Sequence, residues 1–166
     1  METFLTPENS LIISKLGLAM VFGMIIGIER IIAHKTAGMR TYALVAAGSA
    51  LFVIISDMVG TLYANNPNFN PTQIAGQIVT GIGFLGAGLI IFKDSKITGL
   101  TTATSIWVSA GIGMACGFGL TDLAIIATAL VLFVFIVLYF IEQQIRKIPK
   151  VLNNHPPEHD DTTLGD

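Results

Sequence analysis

Long apolar stretches, each closed by a short cluster of polar residues, glycines or prolines, run through the whole chain. A helix needs about 20 largely apolar residues to cross a bilayer, and the stretches predict five such helices at 11–30, 41–64, 72–92, 99–118 and 122–143. The breaks have physical causes. In "GFGLTD", Gly117 and Gly119 loosen one helix, and Thr121 or Asp122 can N-cap the next. In "NPTQ", Asn70 is a cap, Pro71 suits the first helical position and Gln73 can reach back to the cap. The expected fold is an all-α membrane protein, a five-helix transmembrane bundle over 1–148. The polar, Pro-containing segment 149–166 is expected to be a disordered cytoplasmic tail.

Composition agrees with this pattern. Hydrophobic residues make up 52% and charged residues 12%, where a soluble domain carries about 25% charge. Mean hydropathy is +0.72. Glu2 and Glu8 at the start, and Glu29-Arg30 at the end of the first run, favour a retained helix over a cleaved leader. Lys and Arg mark cytoplasmic connections. Arg30, Lys35, Arg40, Lys93, Lys96, Arg146, Lys147 and Lys150, eight of nine basic residues, fall on one side if the N-terminus is outside and the C-terminus cytoplasmic; Lys15 is the exception. The net charge of −2 gives no sign of nucleic-acid binding. The single Cys116 excludes an intramolecular disulfide and a cysteine-based zinc site. His155 and His159, beside Asp160 and Asp161, are read as solvated rather than as metal ligands, because metal sites need fixed geometry. No nucleophile–base pair, metal constellation or cofactor motif is present in the sequence, so a non-enzymatic protein is expected.

"GIGFLGAG" at 81–88 is the densest glycine cluster. A dinucleotide site needs such glycines at a strand-to-helix turn, and burying a pyrophosphate in an uncharged apolar run would be very costly. The packing reading fits better: in lipid, small residues drive helix association by letting backbones approach. Gly81 and Gly88 share a face with Gln77 and Phe84; Ala19, Gly23 and Gly27 recur at intervals of four in the first helix, and Gly113 and Gly117 do so in the fourth. Together with Gly83 and Gly86 these predict three close-packed seams and a homodimer formed through them. A third helix broken at its glycines and lining a polar cavity is the alternative. In the fourth helix Thr98, Thr102, Ser105, Ser109, Gly113 and Cys116 form one face, read either as a packed interface or as a path for a small polar solute. Trp107 is expected to pack within the bundle.

Charges near the membrane complete the candidates. Lys15 and Asp57 lie at similar depth near the outer side, and an ion pair between them is expected, with Asp57 as a coupling carboxylate the alternative. Glu29, Arg30, Lys35, Arg40 and Thr41 form a charged knot at the cytoplasmic end of the first connection, an anchor or a binding surface for an anion or a partner protein.

These motifs resemble the MgtC/SapB family of bacterial membrane proteins. The resemblance runs from Gly23 to Gly119 through IG-x-ER, K-x-AG-x-RT, GIGFLGAG, GLTTA and the Trp-containing helix. It implies a bacterial inner-membrane protein of about five spans, linked to growth under magnesium limitation and, in some pathogens, to survival inside host cells. The family pattern carries over to Gly27, Glu29, Arg30, Lys35, Gly38, Arg40, Thr41, Gly81, Gly83, Gly86, Gly88, Gly99, Leu100, Thr102 and Trp107. The chain departs from it at Asn70 and Gln73, where an acid and an arginine are common, and at Thr98, where an arginine precedes Gly-Leu. It is expected to be a short form, without the soluble domain that some members carry after the fifth helix.

Two functions then stand side by side. A non-enzymatic regulator would bind another membrane complex, such as magnesium-homeostasis machinery or the ATP synthase, through Glu29, Arg30, Lys35 and Arg40. A small ion or solute transporter would use the glycines of the third helix and the hydroxyls of the fourth. Replacing Ser105 and Ser109 by Ala preserves volume, so the regulator is expected to tolerate it and the conduit is not.

Overall fold

A computed structural model describes residues 6–62, 70, 72–93 and 95–145. Its elements follow in the order α1 (Pro7–Ile32), α2 (Met39–Leu62), α3 (Thr72–Leu89), β1 (Ile91–Lys93), β2 (Lys96–Thr98), α4 (Leu100–Gly117) and α5 (Thr121–Ile145). Among the described residues the regular structure is helical except for one hairpin, which all-α patterning did not anticipate. Positions 91 and 92, read as the end of the third helix, instead join Lys93 in a strand that pairs with 96–98. The segment 146–166, with the expected tail, lies outside the described residues.

Local chemistry explains the helix ends. Thr6 caps α1 by accepting the backbone N–H of Asn9 at 3.2 Å, and Pro7 sits where its missing N–H costs nothing. α1 ends in a Schellman motif: His34, at φ 54°, donates to the Ile31 carbonyl and Lys35 to that of Arg30, each at 2.9 Å. α4 ends the same way, with Gly119 at φ 78° donating to Cys116 at 3.0 Å and Leu120 to Ala115 at 2.8 Å. α3 runs unbroken from Thr72 to Leu89 despite its glycines.

Two compact units divide the chain within α5, the first ending at Leu132 and the second beginning at Phe133. In the first unit, α2 is the central element, packed on both α1 and α4. An added Cβ on Gly23 would fall 2.5 Å from the Tyr42 carbonyl oxygen, and one on Gly27 2.5 Å from Met39 Cα. One on Gly113 would fall 2.1 Å from the Ala46 carbonyl oxygen, and one on Gly117 2.8 Å from that of Ala50. Backbones therefore touch along two seams, α1 antiparallel and α4 parallel to α2. α3 leans on α4, antiparallel to it, where a Cβ added to Gly86 would lie 3.7 Å from that of Ala103. The third expected seam is not formed within the chain: nothing lies within 4 Å of a Cβ placed on Gly81, Gly83 or Gly88. α3 turns Ile78 and Ile82 inward instead. In the second unit, Gln143 donates to the Tyr139 hydroxyl at 2.7 Å.

Many large apolar side chains face outward, among them Phe84 (82% exposed), Leu44 (72%) and Leu130 (60%). α1, α2 and α5 are long and apolar enough to cross a membrane, three helices against the five expected. α3 and α4 have 18 residues each, about 27 Å at 1.5 Å per residue, close to the hydrocarbon thickness of about 30 Å.

Candidate functional site

The two seams bring the end of α1 and the starts of α2 and α4 together, so Arg30, Lys35 and Arg40 lie at the same end of the first unit as the hairpin lysines 93 and 96. Arg30 is 3% exposed on the α1 face that also buries Ala19, Gly23 and Gly27. Its guanidinium pairs with the neighbouring Glu29 carboxylate through both Nε and Nη2. Such a pair offsets the desolvation of a buried cation. The two remain within electrostatic reach of Tyr42, which is fully buried.

Tyr42 is the hub of the polar core, and no candidate list drawn from motifs contained it. Its hydroxyl hydrogen-bonds Ser105 Oγ across the α2–α4 seam. Ser105 spends its one proton on the Thr102 carbonyl at 2.9 Å, which leaves Tyr42 as the donor. Ser109 Oγ donates to the Tyr42 carbonyl at 3.3 Å. The signal that would have found Tyr42 is periodic: Tyr42, Ala46, Ser49, Val53 and Ser56 recur at spacings of four and three along one buried face.

The other candidates separate clearly. Thr102, Ser105, Ser109, Gly113 and Cys116 are all buried, and the hydroxyls of Ser105 and Ser109 are used against α2; Thr98 belongs to β2 rather than to this face. Lys35, Arg40 and Thr41 are exposed, while Glu29 is half-buried beside Arg30. Asp57 is exposed on α2 and forms no ion pair with Lys15, whose ammonium lies 3.9 Å from a Cβ placed on Gly119 at the α4–α5 turn. Equal depth fixed their height but not their azimuth, and the two helix faces differ. Trp107 is 51% exposed, not packed, because it lies two positions from both Ser105 and Ser109 and so off their buried stripe. Among the described residues no three His, Cys, Asp or Glu side chains gather as metal ligands.

One cavity of about 680 Å³ lies between α2 and α3. Apolar side chains line it, with Gln77 and Ser49 its polar members, beside Gly81. Ser49 bonds its own helix at the Val45 carbonyl, 2.9 Å away. Gln77 is exposed there, so its amide is the polar group still presented to the groove.

The sequence profile of the MgtC family matches residues 16–144. This chain belongs to the MgtC family. Protein MgtC of Brucella abortus is 44% identical over 114 residues, covering 69% of this chain and 45% of that protein. Protein MgtC of Salmonella typhimurium is 44% identical over 131 residues, covering 79% of this chain and 54% of that one. A protein of Escherichia coli K12, named as a candidate magnesium transporter, YhiD, is 45% identical over 124 residues, covering 74% and 58%. The chain thus spans about half the length of the curated relatives it matches. No solved structure matches. With family membership and the apolar helices together, this MgtC family chain is a membrane protein.

Proposed function

We propose that the chain is a multi-pass protein of the bacterial cytoplasmic membrane that acts as a non-enzymatic regulator, binding another membrane complex in magnesium-limited growth. All five helices span, with the N-terminus outside and the C-terminus cytoplasmic. The exposed Lys35, Arg40 and Thr41 surface, held in place by the buried Arg30–Glu29 pair, is the contact. Magnesium-homeostasis machinery and the ATP synthase are the partner classes to test first.

One observation carries this reading over conduction: the buried serines of α4 are committed to the seam with α2. Ser105 and Ser109 are buried and bonded to Tyr42, so they serve a closed helix seam rather than an open polar path. The basic end, by contrast, presents Lys35 and Arg40 as exposed side chains. A photo-crosslinker at position 40 tests the contact in native membranes. The reading expects a discrete adduct with another membrane protein that disappears with Lys35→Ala; adducts with lipid alone would contradict it.

A second reading, transport, is favoured by the α2–α3 groove with Gln77 and by the name of the Escherichia coli relative. If anything is conducted, the groove is its path and Gln77→Leu abolishes it. A homodimer is part of either reading. α3 leaves Gln73, Gln77, Gly81 and Gly88 exposed, Gln77 and Gly81 along the groove, small and polar groups that hydrocarbon does not satisfy and a second copy can.

A further inference from the structure

The β1–β2 hairpin lies exposed at the basic end, with all six of its strand residues open to the surroundings. Its register pairs Ile91 with Thr98, Phe92 with Ile97 and Lys93 with Lys96. Partners in an antiparallel pair project from the same face, and successive pairs alternate faces. Phe92 and Ile97 therefore share one face, 73% and 56% exposed. Lys93 and Lys96 share the other, beside Ile91 and Thr98.

Each half of this arrangement is unfavourable in water. Two like charges directly opposite in a strand pair repel, with their Cβ atoms about 5 Å apart. An isolated two-stranded hairpin is marginally stable at best, and this one adds an uncovered Phe–Ile pair. A membrane interface removes both penalties at once: the Phe92–Ile97 face enters the boundary of the acyl chains, and the paired ammonium groups reach the phosphate layer above it. The hairpin also sits where such a surface must be, between the ends of α3 and α4. The lysine pair, at the right spacing to bracket one phosphate, supplies the charge complement.

We propose that the β1–β2 hairpin is a binding site for an anionic phospholipid headgroup, with Lys93 and Lys96 on its phosphate and Phe92 and Ile97 in the adjoining acyl region. The site is independent of the regulator reading, since it uses none of the residues assigned to the partner. It gives the hairpin a role as a lipid-gripping anchor at the leaflet that carries the basic residues.

The test uses the full chain in nanodiscs of equal phosphatidylcholine and phosphatidylglycerol, with retained lipid read by native mass spectrometry. Wild type is expected to retain the anionic lipid preferentially. Lys93→Gln/Lys96→Gln is expected to lower that preference by about five-fold per lysine, and the matched pair Lys35→Gln/Arg40→Gln by clearly less. A hairpin variant that loses no more than the matched pair overturns the site, because the effect is then only the general charge of that end. Inorganic phosphate in excess, at constant ionic strength, is expected to leave the preference intact; its abolition would mean a free-anion site and sink the lipid assignment. A depth readout is independent of charge. In a Trp107→Phe background, Phe92→Trp should fluoresce with a blue shift and be quenched by lipids brominated high on the acyl chain. Water-like emission quenched by iodide would overturn the proposal.

Discussion

Tyr42 joins three helices: its backbone carbonyl meets Gly23 of α1 and accepts Ser109 of α4, and its hydroxyl donates to Ser105. Ser105→Ala is therefore not the neutral, volume-conserving change that its size suggests, since it strands the Tyr42 hydroxyl. Tyr42→Phe and Ser105→Ala should each destabilise the protein, and a double-mutant cycle read by denaturant unfolding in micelles should return a coupling of about 0.6 kcal/mol, at most about 1.7 kcal/mol. Strict additivity would mean that the bond contributes nothing. Glycines divide just as sharply. Gly113→Ala drives a methyl into the Ala46 carbonyl, 2.1 Å from the ideal Cβ position, and should cost about 1–3 kcal/mol as an overpacked seam. Gly83→Ala meets nothing within 4 Å and should leave the melting temperature of the detergent-solubilised monomer unchanged or raised. The α1 and α4 seams were legible from intervals of four in the sequence, because periodicity reports which residues share a face. Which partner a face meets was not legible, and this is why Gly81, Gly83 and Gly88 of α3, equally periodic, pack on nothing in the chain while Gly86 meets α4. Lys15 and Asp57 missed each other for the same reason.

At the scale of elements, helix existence followed directly from apolar run length, while ends followed from local bonding that only particular residues reveal. The "GFG" break reads correctly because Gly119 supplies the positive φ of a Schellman turn; the equivalent turn after α1 is hidden because His34 fills that position. The hairpin was missed because three-residue strands give periodicity no room and its apolar residues continue the α3 run. Gly99 is the residue that makes the hairpin-to-α4 junction. It holds φ at 88°, and a Cβ there would sit 1.9 Å from the Leu89 carbonyl oxygen. Gly99→Ala should cost about 1–3 kcal/mol from backbone strain alone, and the collision adds to it. A denaturation midpoint as high as the wild type's would show that this junction relaxes freely and is not the fixed corner described here.

At the scale of the molecule, the first unit gathers exposed cations at one end beside the Arg30–Glu29 pair, is closed in the middle by backbone contacts, and leaves polar and small residues of α3 exposed. The gathering of cations at one end was legible, because Lys and Arg alternate with uncharged connections along the sequence; the burial of Arg30 was not. The α3 face makes a prediction about assembly. If the proposed homodimer forms through α3, Gly88→Leu, at an exposed position with nothing within 4 Å and outside the α2–α3 groove, should convert two-step to one-step bleaching in single-molecule photobleaching of liposomes; unchanged two-step bleaching would place the dimer contact elsewhere. The division between regulator and conduit is decided by flux. Purified protein in proteoliposomes, given gradients of magnesium and protons, should show no flux above empty liposomes, because Ser105 and Ser109 are buried against Tyr42 in the α2–α4 seam and no path opens along them. Flux that is present in the wild type and lost with Gln77→Leu would contradict the regulator reading and make the α2–α3 groove a conduit.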